Sequence, residues 1–213
     1  MTTLLYKELR LAVHPSSLVF SFLGCLVLVP AYPYSAIFMF GCLATYTTFS
    51  NSREVNDAWY TAILPVTKGE SVLAKCLLIT GFQLFQLLFS VPFAFLRNTL
   101  NIANNPVGLD ATAAWYGFGL ILYAVFDLLF LTSFYKNGYQ AGKSFILGAI
   151  PMALLMVAIE AAAYIPAFSW MDSCKPEDLI KQMPILAIGL VCYGVIGTLA
   201  YRTAAKRFEK VDL

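Results

Sequence analysis

Residues 74–96 read AKCLLITGFQLFQLLFSVPFAFL, with Lys75 the only charge among them. As a helix rising 1.5 Å per residue, the stretch reaches about 34 Å, enough to cross a hydrocarbon core about 30 Å thick. Further along the chain, Ala113–Phe134, Phe145–Phe168 and Ile185–Tyr201 repeat the pattern, with Pro151 an expected kink. Two shorter apolar runs precede it, Leu18–Tyr32 and Ser35–Phe49, paired around Pro30-Ala31-Tyr32-Pro33. The expected fold is therefore all-α integral membrane, six transmembrane helices in a single domain over residues 1–213. Composition agrees. Charged residues make up 12% of the chain, against about 25% in soluble domains, and a chain this short has too much surface to hide that deficit.

With six spans, both termini lie on one side. Eleven of the 14 lysines and arginines fall on that side, and only Arg97, Lys175 and Lys181 fall opposite. By the positive-inside rule both termini are cytoplasmic. No small-residue cleavage site follows the first apolar run before the next begins, so it is read as a retained helix and not a signal peptide. Ahead of it, Thr2–Val13 places Leu5, Leu9, Ala12 and Val13 on one helical face, with Lys7, Glu8 and Arg10 elsewhere. This reads as an amphipathic interfacial helix ended by His14-Pro15, His14 being an interface residue.

Two loops are informative. The loop at residues 51–75, NSREVNDAWYTAILPVTKGESVLAK, is long and amphipathic, with Val55, Trp59 and Ile63 at helical spacing and Pro65 as a break. The outer loop, residues 166–184, holds Trp170, suited to an aromatic belt, and Pro176-Glu177-Asp178, suited to the first turn of a short helix.

Catalytic chemistry has little support. The stretch Asn137–Ser144, NGYQAGKS, ends like a phosphate-binding loop, but the first glycine of G-x-x-x-x-G-K-[ST] belongs at 137, where Asn stands. It is read as a tight membrane turn. The five cysteines, Cys25, Cys42, Cys76, Cys174 and Cys192, form no C-x-x-C pair, and one histidine cannot complete a zinc site or a serine triad. A net charge of +2 without basic clusters gives no nucleic-acid partner. Two carboxylates, Asp127 and Glu160, fall inside spans, where a charge costs about 2.5–3.5 kcal/mol. Each is either part of a polar translocation path or an interhelical hydrogen-bond partner. Their different depths argue against one catalytic pair.

The loop segments Asn56-Asp57-Ala58-Trp59-Tyr60, Leu64-Pro65-Val66-Thr67-Lys68 and Val72-Leu73-Ala74-Lys75 resemble the inner loop of ABC-2-type transporter permeases. Phe134–Tyr139 leading into Gly142-Lys143-Ser144-Phe145 is similar to the "YK-x-GY" stretch of the short members of that family. The resemblance extends over nearly the whole chain. It implies a permease subunit of a bacterial exporter in the cytoplasmic membrane, with no catalytic, cofactor or metal site of its own. ATP and Mg would be held by a separately encoded ATPase, two copies of which would work with this chain and a second permease, either identical or a paralogue. It implies a cytoplasmic coupling helix between spans two and three, with Val55, Asn56, Asp57, Trp59, Tyr60 and Ile63 facing the ATPase. The cargo would be an amphipathic peptide, a bacteriocin or a drug. Three alternatives stay open: an ion-coupled secondary carrier using Asp127 and Glu160, a membrane-embedded enzyme, and a non-transporting immunity or scaffold protein.

Overall fold

The computed structural model describes residues 1–100, 102, 105–136 and 140–210. Among these, every regular element is helical: α1 (Thr2–Leu11), α2 (Pro15–Phe22), a 3₁₀ segment (Leu23–Leu28), α3 (Ala36–Glu54), α4 (Asp57–Ile63), α5 (Lys68–Thr99), α6 (Ala113–Phe134), α7 (Ala141–Ala163), a second 3₁₀ segment (Pro166–Asp172) and α8 (Pro176–Glu209).

Local chemistry sets several starts. His14 caps α2, its Nδ1 accepting from Ser16 N at 3.2 Å, with Pro15 at the first helical position. Thr67 and Glu70 form a reciprocal capping box at the start of α5: Thr67 N donates to Glu70 Oε2 at 2.8 Å and Glu70 N donates to Thr67 Oγ1 at 3.2 Å. Thr112 caps α6, accepting from Trp115 N. The Gly142-Lys143-Ser144 end of the phosphate-loop-like stretch lies in the first turn of α7, and residues 137–139 lie outside the described residues.

Among the described residues, four helices are long and apolar enough to cross a membrane: Lys68–Arg97 of α5, α6, α7 and α8. The first two expected spans take other forms. The first run is eight residues of α-helix that tighten into the 3₁₀ segment and stop before Pro30, with Ala31 at φ 58°. Together with α1 it forms a pair bent by 98°. The second run is α3, 19 residues long, whose carboxyl-terminal half carries Thr45, Thr47, Thr48, Ser50, Asn51 and Ser52. The loop expected over 166–184 is shorter than its sequence suggests. α8 starts at Pro176 and continues through Pro184, so the expected short helix and last span are one element. Likewise α7 runs unbroken through Pro151.

α6 is the centre of the bundle. Its most apolar window is 67% buried, against 17% for α7 and 11% for α8. Phe38 of α3 packs on Trp115 with centroids 4.4 Å apart, and Phe49 meets Phe130 and Phe134 edge-on. α6 and α8 approach most closely at Gly117 and Gly189. A Cβ on Gly117 would sit 2.6 Å from the Ile185 carbonyl oxygen, so only glycine permits that crossing.

Candidate functional site

The amino-terminal end of α5 carries the feature with the most chemistry. Lys75 lies in an apolar helix and must find counter-charges. Its Nζ is 2.6 Å from Asp57 Oδ2 and 3.1 Å from Glu8 Oε2, and it also donates to Ser52 Oγ. Lys7 closes the figure: its Nζ lies 2.6 Å from Asp57 Oδ1, 2.7 Å from Glu8 Oε1 and 2.7 Å from Thr61 Oγ1. Ser52 also donates to Asp57 Oδ2 at 3.0 Å. Two ammonium groups and two carboxylates thus alternate in a closed, neutral cluster. It joins α1, the end of α3, α4 and α5.

Burial alone would raise the Asp57 carboxyl, but the charge of Lys75 and hydrogen bonds from both lysines outweigh it and hold it below 3.8. For Lys7, burial lowers the ammonium value, while hydrogen bonds to Asp57 and Glu8 prevail and lift it above 10.5. The signs fix a pH window. Asp57 stabilises the fold above its unfolded value of 3.8, and that contribution disappears as pH falls through its lower folded value. Lys7 stabilises fully below 10.5 and loses its contribution as pH rises through its higher folded value. Docking of α1 against α4 and α5, measured as resistance of residues 1–13 to limited proteolysis, is expected to stay constant between about pH 4 and pH 10 and to fall outside that range.

The segment read from sequence as an ATPase contact divides at this cluster. Asp57 is 1% exposed and serves as the internal anchor of α4. Val55, Trp59, Tyr60 and Ile63 are 46%, 68%, 47% and 65% exposed, so a contiguous apolar and aromatic face points away from the bundle. Asn56 is exposed too and takes a left-handed conformation, φ 52° and ψ 37°, that turns the chain from α3 into α4. Beside this face lies a depression of about 520 Å³ bordered by Tyr6 and Arg10 of α1 and by Tyr60, Leu64 and Pro65. α1 is rotated by about a quarter turn from its expected setting. Leu4, Glu8 and Ala12 face inward, while Leu9 is exposed.

Asp127 and Glu160 occupy separate neighbourhoods. Asp127 accepts from Gln83 Nε2 of α5 at 2.9 Å, and Gln83 Oε1 accepts from Tyr193 of α8 at 2.7 Å, so three helices share one polar string. Glu160 accepts from Ser35 Oγ and, at 2.9 Å, from the Leu109 amide. It belongs to a polar cap at the far end of the bundle. There Arg97 is paired with Asp110, and the Asp110 amide donates to Asp172 at 2.7 Å. Burial raises the Asp172 carboxyl above 3.8. Sequence alone gives Lys7, Glu8, Ser52 and Thr61 no site role, and it marks Lys75 only as the single charge of its span. One signal could have pointed to the cluster: a lysine at the second position of an otherwise apolar span needs a carboxylate from elsewhere.

Comparisons with protein-family models, with curated proteins and with solved structures find no match.

Proposed function

We propose that this chain is the transmembrane permease subunit of an ATP-driven exporter of the ABC-2 type, embedded in a bacterial cytoplasmic membrane and powered by a separate ATPase. The observation that carries the reading is α4: a short helix with Trp59, Tyr60 and Ile63 turned outward and its own Asp57 locked inward to Lys7 and Lys75. An exposed aromatic face suits a partner, since buried aromatics are the usual anchors of interfaces. A rigid ionic root suits force transmission, because a push on α4 is delivered to α1 and α5 and not absorbed by a flexible loop. In this reading α2 with its 3₁₀ extension and α3 form the first two of six spans, both termini are cytoplasmic, and α1 lies along the inner interface. Two such chains, or one with a paralogue, work with two ATPases that hold ATP and Mg. ATP-driven closure of the ATPases moves the coupling helices and switches the permease pair between packed states. The cargo class is an amphipathic peptide, bacteriocin or drug.

A second reading rests on Asp127, a buried carboxylate within a span, the kind of residue that ion-coupled carriers use. Inside-out vesicles from the native host separate the two. The permease reading expects cargo accumulation that requires ATP and survives a protonophore. The carrier reading expects the reverse.

A further inference from the structure

Two buried cations of α5, Lys75 toward one end and Arg97 toward the other, are each the hub of a polar cluster. Lys75 binds Asp57 and Glu8 at the α4 end. Arg97 pairs with Asp110 at the far end and lies over the Tyr34 ring, its guanidinium carbon 5.1 Å from the centroid. The 22 helical steps from Lys75 to Arg97 span about 33 Å, the thickness of a bilayer core.

The same face of α5 carries buried polar side chains among its apolar ones between the two ends. Gln83, Gln86 and Ser90 follow Lys75 at helical spacing, and all three are fully buried. Gln83 bridges Asp127 and Tyr193. Gln86 Nε2 donates to the carbonyls of Phe20 and Ile37 at 3.0 and 3.1 Å, and its Oε1 accepts from Tyr123. Ser90 shares a hydrogen bond with Tyr116 at 2.9 Å. Every polar side chain on this stripe is matched to a partner on another element. A slide or rotation of α5 by one residue would break all of these bonds together, so α5 has discrete seated positions and no continuous range.

At the far end α5 holds the cap. The Asp110 carboxylate takes Arg97, the Asp110 amide donates to Asp172, and the neighbouring Leu109 amide donates to Glu160, which also takes Ser35. The loop before α6, the second 3₁₀ segment, α7 and the start of α3 therefore meet on two adjacent backbone amides.

We infer that α5 is a register-locked rod that couples the Lys75 cluster to this cap, so that loosening either end loosens the other, with Arg97 and Asp110 the positioning residues that close the far side. Polar groups that serve only as local glue would confine any disturbance to the end where it was made. A coupled rod carries it across, and linkage requires the effect to be reciprocal.

The test uses the full chain in lipid nanodiscs, with amide hydrogen exchange read by mass spectrometry. It needs no ATPase and no cargo, so its failure is distinct from failure of the exporter reading. Asp57→Asn is expected to speed exchange at least threefold in peptides covering 105–112 and 166–174, with peptides from the first half of α7, away from Glu160, unchanged. Ser52→Ala, which keeps every charge, should act in the same direction to a smaller extent. In return, Arg97→Gln, and more mildly Arg97→Lys, should speed exchange of α4 by a factor comparable to that of Asp57→Asn on the cap. Faster exchange confined to the mutated end overturns the inference, and so does a uniform rise that includes the first half of α7.

Discussion

Replacement of Lys75 by methionine is expected to destabilise the chain by about 3–5 kcal/mol, the cost of breaking a buried ion pair by removing one partner. Lys75 Nζ contacts Asp57, Glu8 and Ser52, and both carboxylate side chains are fully buried. Without it, one remaining ammonium, Lys7, faces two buried carboxylates. The loss should appear as a lower midpoint of thermal unfolding in detergent and as early proteolytic release of α1. The double variant Lys75→Met with Asp57→Asn should lose less than the sum of the single changes, because the second substitution removes the orphaned charge. Strict additivity would mean that the two groups do not interact in the membrane.

Trp59→Ala should do the opposite. Trp59 is 68% exposed, so its removal is expected to alter the stability of the chain by no more than about 0.5 kcal/mol. As an interface anchor, however, it should contribute about 2 kcal/mol or more to ATPase binding, a loss of roughly 30-fold in affinity. Quantitative co-purification of the ATPase with wild type and variant reads that ratio. Equal recovery under equal expression would remove Trp59 from the interface. The two substitutions lie on either side of one short helix, so the pair separates the anchoring role of its inner side from the docking role of its outer side.

Hydropathy located α5, α6 and α7 well, because each is a continuous apolar run bounded by polar or glycine-containing segments. It failed where polarity and helicity part company. The first two turns of α8, Pro176 to Met183, are polar enough to read as loop, yet Pro176, Glu177 and Asp178 start the helix, and Gln182 fixes it by donating to the Trp170 and Ser173 carbonyls at 2.7 and 3.0 Å. The carboxyl-terminal half of α3 is too rich in threonine and serine for a hydropathy criterion, although Thr47 and Thr48 return their hydroxyls to backbone carbonyls within the helix. The capping box at Thr67 and Glu70 was legible as T-x-x-E and went unread.

The candidate site was half legible. Helical spacing groups Val55 with Trp59 and Ile63; all three are exposed, but Val55 ends α3 and the left-handed Asn56 separates it from the α4 face that holds Trp59 and Ile63. The resemblance groups Asp57 with the ATPase-facing residues, whereas it is the internal anchor. Periodicity describes one helix at a time. It cannot foresee that Lys7, 50 residues earlier, and Lys75, 18 residues later, converge on one carboxylate. For the same reason the inward turn of Glu8 was hidden, since its partner lies on α5.

The central proposal is that this chain is a permease subunit that works with a separate ATPase. The direct measurement is affinity purification of the tagged chain from its native host in mild detergent, with mass spectrometry of what remains bound. The account predicts a co-purifying protein that carries a true G-x-x-x-x-G-K-[ST] loop and is lost with Trp59→Ala. Recovery of the chain with no such protein, under conditions that keep other membrane complexes intact, would contradict it and would make Asp127 the first residue to substitute in search of an ion-coupled carrier.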